Sequence, residues 1–374
     1  MLSNRAKLYI FERGKYMGTV YIISEFGKLT KKDDALSFYN KDGTERKIFI
    51  HRLDRLIILG SVEITSSALK LLMRHQIDTV FLNKNGKLNG KLEFQDGKNV
   101  FLRKRQYEIL LDQNKMVTLV KAIVRGKIKN QISFMQRIAR KTNDSKLEQT
   151  IQDAQRNEKR LEDSNSIESI RGYEGYGSKL FFSVFKYNII PEWAVFNGRT
   201  MHPPKDVVNA VMSFLYTLLN YRIDSFIVLE GLDPYVGYLH TLDYGKRALS
   251  FDLMEEYRTS ICDTLTCALF NLGILKFTDF QYKDFTNNDD DYPLEISEES
   301  KLEIETTESI KGVLLTEEGL KKTANAFEEK MTTEIFYPPL GKRISYQNVI
   351  IEQIKHYKRV IMDQEAEYKP FVIK

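Results

Sequence analysis

The residue types best suited to chemistry lie in three short segments of the sequence. Glu174 lies in a glycine-rich segment, and His240 ends a segment rich in glycine and tyrosine. Asp252 and Glu255 lie three residues apart in a helical pattern, so both carboxylates would project from nearly one face and repel each other unless a cation or proton lies between them. Together these side chains form an oxygen-rich set with one imidazole, which suits Mg²⁺ or Mn²⁺.

Each of these residues also has an ordinary structural interpretation. A glutamate beside glycine is commonly a turn residue, and a single histidine is commonly a core residue with its hydrogen bonds satisfied. Asp252, Glu255 and Arg258 could form a surface ion-pair network, in which case the chain would be a helical structural partner. Sequence spacing alone does not bring the three segments together.

Other chemistries find little support in the sequence. It contains neither the GxxxxGK[ST] pattern of a P-loop nor a GxSxG nucleophile motif. Cys262 and Cys267 are its only cysteines, which excludes a disulfide framework and does not fit a zinc site. We therefore expect a reducing, cytoplasmic setting. The sequence shows no signal peptide and no apolar run long enough to span a membrane.

Charge is distributed unevenly along the chain, although the net charge is only +5. Residues 101–150 carry 12 basic against four acidic side chains, which on helices is typical of a phosphate-binding surface. A solvated helical face is the alternative. Residues 281–310 carry ten acidic side chains against two lysines and predict an exposed insertion or loop.

The elements that must position these residues change in character near residue 100. Before it, five short runs rich in Ile, Leu and Val predict strands, and Ser66–His75 predicts one helix capped by Ser66 or Ser67. The pairs Asn85-Gly86 and Asn89-Gly90 predict hairpin turns. The strand predictions are Lys7–Phe11, Thr19–Ile23, Lys47–Ile50, Arg55–Leu59 and Thr79–Leu82.

After residue 100, the apolar residues recur at the spacing of three or four positions that is typical of helices. Predicted helices include Val207–Leu219, Leu249–Leu272, Thr316–Lys330 and Ile344–Met362. The fold class is therefore α+β and multidomain. A small N-terminal β-sandwich-like sheet domain with one helix (1–98) precedes a larger all-α helical catalytic domain (99–374), and the length of 374 residues suits two domains.

Several blocks of the sequence resemble one known family. They are residues 58–65, 79–86, 203–210, 213–219, 231–240 and 252–258. These blocks resemble the first CRISPR-associated protein family, the metal-dependent DNA endonucleases and integrases that insert spacers. The resemblance covers nearly the whole chain. Thr259 departs from the proline that many relatives carry after the arginine.

This resemblance implies a site and its metal. It places Glu174, His240 and Glu255 as ligands of Mg²⁺ or Mn²⁺, and Asp252 as a further acid near the metal. It places Tyr216 near the site, where we expect it to contact DNA. Arg171, Lys246 and Arg247 lie close to these blocks and are further candidates for contact with DNA phosphates.

The resemblance also implies a reaction and partners. A 3′-hydroxyl of incoming double-stranded DNA would attack a phosphodiester at the edge of a CRISPR repeat, with no protein nucleophile. The N-terminal domain would form a homodimer, and the dimer would join a small second adaptation protein ("Cas-two"). The alternative is a non-catalytic DNA-binding scaffold of an adaptation complex.

Overall fold

The computed structural model describes residues 7–13, 16–24, 26–83, 86, 88–93, 99–142, 144–201, 203–240, 243–285 and 310–373. The chain divides into two compact units. The first comprises Met1–Gln95, Met201–Lys205 and Phe277–Glu328, and the second comprises Asp96–Thr200, Asp206–Lys276 and Glu329–Lys374. None of the described helices is both long and apolar enough to cross a membrane.

Two sheets form the framework of the first unit. The strands are β1 (Lys7–Arg13), β2 (Tyr16–Ile23), β3 (Gly27–Lys32), β4 (Ala35–Asn40), β5 (Glu45–Phe49), β6 (Leu53–Leu59), β7 (Val62–Ile64), β8 (Asp78–Leu82) and β9 (Leu88–Leu92). One sheet has the order β1-β2-β6-β8-β9, and the other has the order β5-β4-β3-β7. Strands β2, β6 and β8 run parallel, and β6 is buried along almost its whole length, as an apolar run between parallel neighbours requires.

One helix, α1 (Ser66–Arg74), packs into the core that the two sheets enclose. Leu71 and Leu72 of α1 lie among buried side chains of both sheets, such as Leu36 and Ile58. The N-cap is Thr65, whose hydroxyl accepts a hydrogen bond from the backbone of Ala68, so the prediction of a serine cap was wrong by one residue. Thr65, Ser66 and Ser67 all carry a hydroxyl group that suits an N-cap. The first of the three is the cap, and the helix begins at the next residue.

The two hairpin predictions have different outcomes. Gly86 lies between β8 and β9 with a φ of 83° and donates a backbone hydrogen bond to Asn83, as a turn requires. Asn89-Gly90 lies inside β9 instead, with Gly90 paired to Phe81. The second prediction was therefore wrong, because one turn suffices to join these strands.

Helices dominate the second unit. They are α2 (Val100–Ile109), α3 (Gln113–Thr142), α4 (Ser145–Arg160), α5 (Ile167–Phe185), α6 (Val207–Leu229), α7 (Ala248–Tyr257) and α8 (Thr264–Asn271). Asp206 caps α6 by accepting from the backbone of Asn209. Short 3₁₀ turns lie at Ile50–Arg52, Leu161–Asp163, Lys186–Asn188, Phe277–Asp279 and Pro338–Leu340.

The predicted single helix Leu249–Leu272 is interrupted. Between α7 and α8, Arg258–Asp263 form a π-helical segment. Such segments shift the register of the side chains that follow and are frequent at functional sites. Here the segment carries Arg258 and Asp263, two charged residues beside the candidate site.

The chain after α8 alternates strands and helices. Strands β10 (Phe280–Phe285) and β11 (Ile310–Leu315) form a hairpin of the first unit, and most of the predicted acidic segment 281–310 lies outside the described residues. Helix α9 (Glu317–Thr332) follows, and at its start the Thr316 hydroxyl accepts a hydrogen bond from the backbone of Gly319. Strands β12 (Glu334–Tyr337) and β13 (Lys342–Ser345) then precede α10 (Tyr346–Ile361), so the second unit is largely helical but also contains a hairpin.

Candidate functional site

Three helices of the second unit position the candidate site. Helices α3, α5 and α7 carry Lys127, Glu174 and Glu255 respectively. Gly177 of α5 allows a close approach to α3, since a Cβ there would lie 3.3 Å from a side-chain carbon of Ile128. All three glycines of the 170–177 segment lie inside α5, so Glu174 projects from a regular helix.

The two predicted ligands Glu174 and Glu255 both contact one lysine. The ammonium of Lys127 forms an ion pair with Glu174 Oε1 and lies 2.6 Å from Glu255 Oε2. The Lys127 side chain is only 6% exposed. The hydroxyl of Ser178, one turn along α5, donates to the same Glu174 oxygen at 2.9 Å. Sequence reasoning placed Lys127 only among the basic residues of 101–150 and gave it no part in the site.

His240 lies between the other predicted acids. Its Nδ1 is 2.8 Å from Asp252 Oδ1, and its Nε2 is 3.9 Å from Glu255 Oε1. Asp252 also accepts backbone hydrogen bonds from Tyr238, Leu239 and His240. A carboxylate without a proton accepts hydrogen bonds and cannot donate them. The Nδ1 of His240 therefore carries the proton that it donates to Asp252, and Nε2 keeps a free lone pair.

The loop that carries His240 depends on a glycine. A Cβ on Gly237 would lie 2.6 Å from the backbone of Ala248 at the start of α7, so no larger residue fits there. Leu249 also donates a backbone hydrogen bond to Pro234. These contacts hold the 233–240 segment against α7 and place His240 between Asp252 and Glu255.

The charges of Asp252 and Glu255 are therefore stabilised in different ways. Asp252 is compensated by three backbone N–H groups, whereas Glu255 is compensated by cations. Burial raises the pKa of the Glu255 carboxyl, but Arg258 at 3.1 Å, Lys127 and His240 outweigh burial and lower that pKa to about 2. Glu255 is ionised throughout the physiological range.

Tyr216 lies beside this cluster and is buried. Its hydroxyl donates to Asp263 at 2.6 Å, and the guanidinium groups of Arg199 and Arg258 lie 5.2 and 4.9 Å from its ring centre. Burial raises the pKa of Asp263 to about 6, although the Tyr216 hydroxyl and Arg258 oppose that rise. Arg258 thus links Tyr216 to Glu255, and contact of Tyr216 with DNA stays a prediction.

The raised pKa of Asp263 predicts a pH-dependent stability. The folded state holds the proton of the Asp263 carboxyl more tightly than the unfolded chain does. Its contribution to the free energy of unfolding is therefore complete below about pH 4 and is lost as the pH rises through about 6. Replacing Asp263 with asparagine should remove this loss, which amounts to about 3 kcal/mol. Urea unfolding from pH 4 to pH 8 measures it as the difference between the two proteins. The prediction would be contradicted if the free energy of unfolding changed with pH in the same way in both proteins.

The other predicted DNA contacts are partly occupied within the unit. Arg171 donates from Nε to the backbone oxygen of Leu239 at 2.7 Å, next to His240. Arg247 pairs with Asp224 at 2.8 Å. The side chain of Lys246 lies partly exposed in the loop before α7. Contact of these residues with DNA stays a prediction.

The basic stretch 101–150 is also partly neutralised. Arg105 and Lys115 pair with Asp363, and Arg125 and Lys129 lie 3.6 and 3.7 Å from Glu158. Many of its positive charges therefore support helix packing, as the alternative interpretation of a solvated face allowed. A role of these helices in DNA binding stays a prediction.

A C-terminal segment packs behind the site. Glu256, next to Glu255, accepts hydrogen bonds from the Tyr368 hydroxyl and the Phe371 backbone, both 2.6 Å long. Asn130 of α3 donates to the backbone oxygens of Glu256 and Phe371 and accepts from the backbone of Ile373. This segment thereby joins α3 to α7, one turn away from Lys127 on α3 and next to Glu255 on α7.

The donor set fits a divalent metal by its chemistry. The set consists of two carboxylates and a histidine nitrogen with a free lone pair. Mg²⁺ prefers the carboxylate oxygens, and Mn²⁺ also accepts the nitrogen. Glu255 Oε2 is buried and, apart from its ion pair with Lys127, has no hydrogen-bond partner among the described residues. Those residues contain no group of three His, Cys, Asp or Glu side chains already arranged around one point. The Lys127 ammonium lies between the two carboxylates instead.

Comparisons with known proteins agree with this fold. The family model described as CRISPR associated protein Cas1 matches residues 20–288. A CRISPR-associated endonuclease Cas1 of Thermus thermophilus is 27% identical over 97% of this chain and 99% of its own length. One of Leptospira interrogans is 32% identical over 73% of this chain and its full length.

Solved structures share the fold. A Cas1 protein from Thermotoga maritima superposes with a TM-score of 0.75 at 20% identity, over 95% of this chain and all of that chain. A casposase bound to its integration product gives 0.78 at 18% identity, over 95% of this chain and 94% of that one. The chain has the two-unit α+β fold of CRISPR-associated nucleic-acid enzymes. It belongs to the Cas1 family.

Proposed function

We propose that this protein is a metal-dependent DNA endonuclease and integrase of CRISPR adaptation. The observation that carries the proposal is a chain of contacts in the second unit, in a protein of the Cas1 family. The Lys127 ammonium contacts both Glu174 and Glu255, and Glu255 Oε1 lies 3.9 Å from His240 Nε2. The similarity to relatives named as endonucleases and to a casposase bound to its integration product supports this class of reaction.

The reaction is a phosphoryl transfer between DNA strands. The 3′-oxygen of the incoming fragment forms a bond to the phosphorus at the repeat edge, and the bond from that phosphorus to the neighbouring 3′-oxygen of the array strand breaks. Water in place of the 3′-hydroxyl makes the same site a nuclease. The chain therefore supplies binding, orientation and charge, with no nucleophile of its own.

Glu174, Glu255 and the Nε2 of His240 would hold Mg²⁺ or Mn²⁺. The bound ion supplies Lewis-acid polarisation of the phosphate and stabilises the charge of the transition state. Asp252 keeps the His240 proton on Nδ1 and so keeps Nε2 available as a ligand. Arg258 keeps Glu255 ionised and adds positive charge beside the reacting phosphate.

Protein partners follow from the relatives. A complex titled Cas6-RT-Cas1–Cas2 contains a chain that superposes with a TM-score of 0.78 at 20% identity, over 98% of this chain and 37% of that one. We propose a complex with the small second adaptation protein, Cas2.

We also propose a homodimer through the first unit, where Phe26 and Phe49 are 57% and 49% exposed. A cytoplasmic setting suits the two buried free cysteines.

The test combines purified protein, a DNA duplex with free 3′-hydroxyl ends and a plasmid that carries the repeat. Joining or cleavage should appear with Mn²⁺ or Mg²⁺ and disappear with EDTA. Binding of DNA without any reaction, even after addition of the small partner protein, would overturn the proposal and favour a non-catalytic scaffold.

A further inference from the structure

The Lys127 ammonium lies between two of the carboxylates that would hold a divalent ion. It contacts Glu174 and lies 2.6 Å from Glu255, and the Lys127 side chain is almost wholly buried. The lysine comes from α3, whereas the carboxylates come from α5 and α7, so this contact joins all three helices of the site.

Electrostatics explain why the lysine lies there. Two carboxylates this close to one point repel each other in a medium of low dielectric constant, and one positive charge between them removes most of the repulsion. Arg258 compensates Glu255 from another side and also interacts electrostatically with Glu174, but the contacts described for Glu174 are those with Lys127 and the neutral Ser178 hydroxyl. Lys127 is therefore the cation in contact with both carboxylates.

A divalent ion and the ammonium cannot both occupy this position. Both are cations that require the inward oxygens of Glu174 and Glu255, and they would repel each other at contact distance. Lysine has a flexible four-carbon side chain and binds as a single point charge, so it can leave without disturbing the helix.

We propose that Lys127 is an internal cation that closes the site in the absence of metal, and that its ammonium must leave the two carboxylates before a divalent ion can bind both. The proposal concerns the regulation of the same site and rests on the proposed metal-dependent function. Lys127 would thus set the metal concentration at which the site becomes competent. It would also keep the ligands in place until then.

Calorimetric titration of the full chain with Mn²⁺ tests the proposal. Lys127→Met should lower the dissociation constant at least about tenfold, because the unmodified protein binds only in the fraction of molecules from which the ammonium has left. Lys129→Met is the matched control, since Lys129 lies on the same helix and pairs with Glu158 away from the site. That control should bind Mn²⁺ as the unmodified protein does.

The outcomes separate the two proposals. If the unmodified protein binds Mn²⁺ but Lys127→Met binds it with equal or weaker affinity, the role of Lys127 is wrong while the metal site stands. If neither protein binds Mn²⁺, the proposed metal-dependent function itself fails.

A second measurement needs no variant. Amine-reactive labelling followed by mass spectrometry should show Lys127 protected in EDTA and several-fold more reactive with Mg²⁺ or Mn²⁺, while the labelling of Lys129 stays constant. Unchanged protection of Lys127 at saturating metal would overturn the proposal, even if Lys127→Met failed to fold. Thermal melting adds a check, because metal should raise the Tm of Lys127→Met more than that of the unmodified protein.

Discussion

Replacing His240 with alanine is expected to lower the rate of metal-dependent DNA joining and cleavage at least about a hundredfold. The imidazole supplies the only nitrogen of the proposed donor set, and its Nε2 faces Glu255. The His240 side chain is 28% exposed, so its removal leaves Asp252 with its three backbone hydrogen bonds and should spare the fold. Single-turnover joining assays measure the rate, and circular dichroism checks the fold.

The matched control for His240→Ala is His75→Ala. His75 is an exposed histidine at the end of α1, in the other unit, and its removal should leave the rate unchanged. Asp252→Asn should give an intermediate loss, because an amide no longer fixes the His240 proton on Nδ1 but leaves the ligand in place. A folded His240→Ala protein with undiminished activity would refute the assignment of His240.

Asn130→Ala should produce the largest loss of stability, about 3–5 kcal/mol. The Asn130 side chain is fully buried and makes three hydrogen bonds, to the backbones of Glu256, Phe371 and Ile373. Its removal leaves these groups without partners in the interior and releases the C-terminal segment from α3. We expect the Tm to fall by about 10 °C.

Asn114→Ala provides the comparison for this variant. Asn114 lies on the same helix, and its side chain is exposed, so its loss should change the Tm by little. Calorimetry of both variants, with DNA joining measured well below the melting range, separates stability from activity. An Asn130→Ala protein that melts like Asn114→Ala would show that the C-terminal segment does not stabilise the unit.

The acids and the histidine of the site could be predicted from sequence, whereas their partners could not. Each of Glu174, His240 and Glu255 also has an ordinary structural interpretation in the sequence, and the resemblance to the family selected these three as metal ligands, which stays a prediction. Lys127 gives no such signal, since eleven other basic residues lie in the same stretch of 50 residues. Only the packing of α3 against α5 and α7 distinguishes it from surface lysines such as Lys129.

The same limit applies to the elements. Apolar runs predicted β1, β2, β5, β6 and β8 but not β3, β4, β7 or β9. Apolar periodicity predicted α1, α6, α9 and α10, and it predicted α7 and α8 as one helix. It did not predict the π-helical segment Arg258–Asp263, since an extra residue per turn leaves the apolar pattern nearly unchanged. The glycines around Glu174 suggested an irregular segment, yet α5 continues through them because its neighbours supply the stability that glycine lacks.

The C-terminal segment has a consequence for how the protein is made. Asn130 and Phe371 are 241 residues apart in sequence, and Glu256 and Phe371 are 115 apart. On the ribosome, α3 and α7 are synthesised before the residues that complete their contacts. The hydrogen bonds of Asn130 and Glu256 to this segment therefore form only after residues 368–373 have left the ribosome.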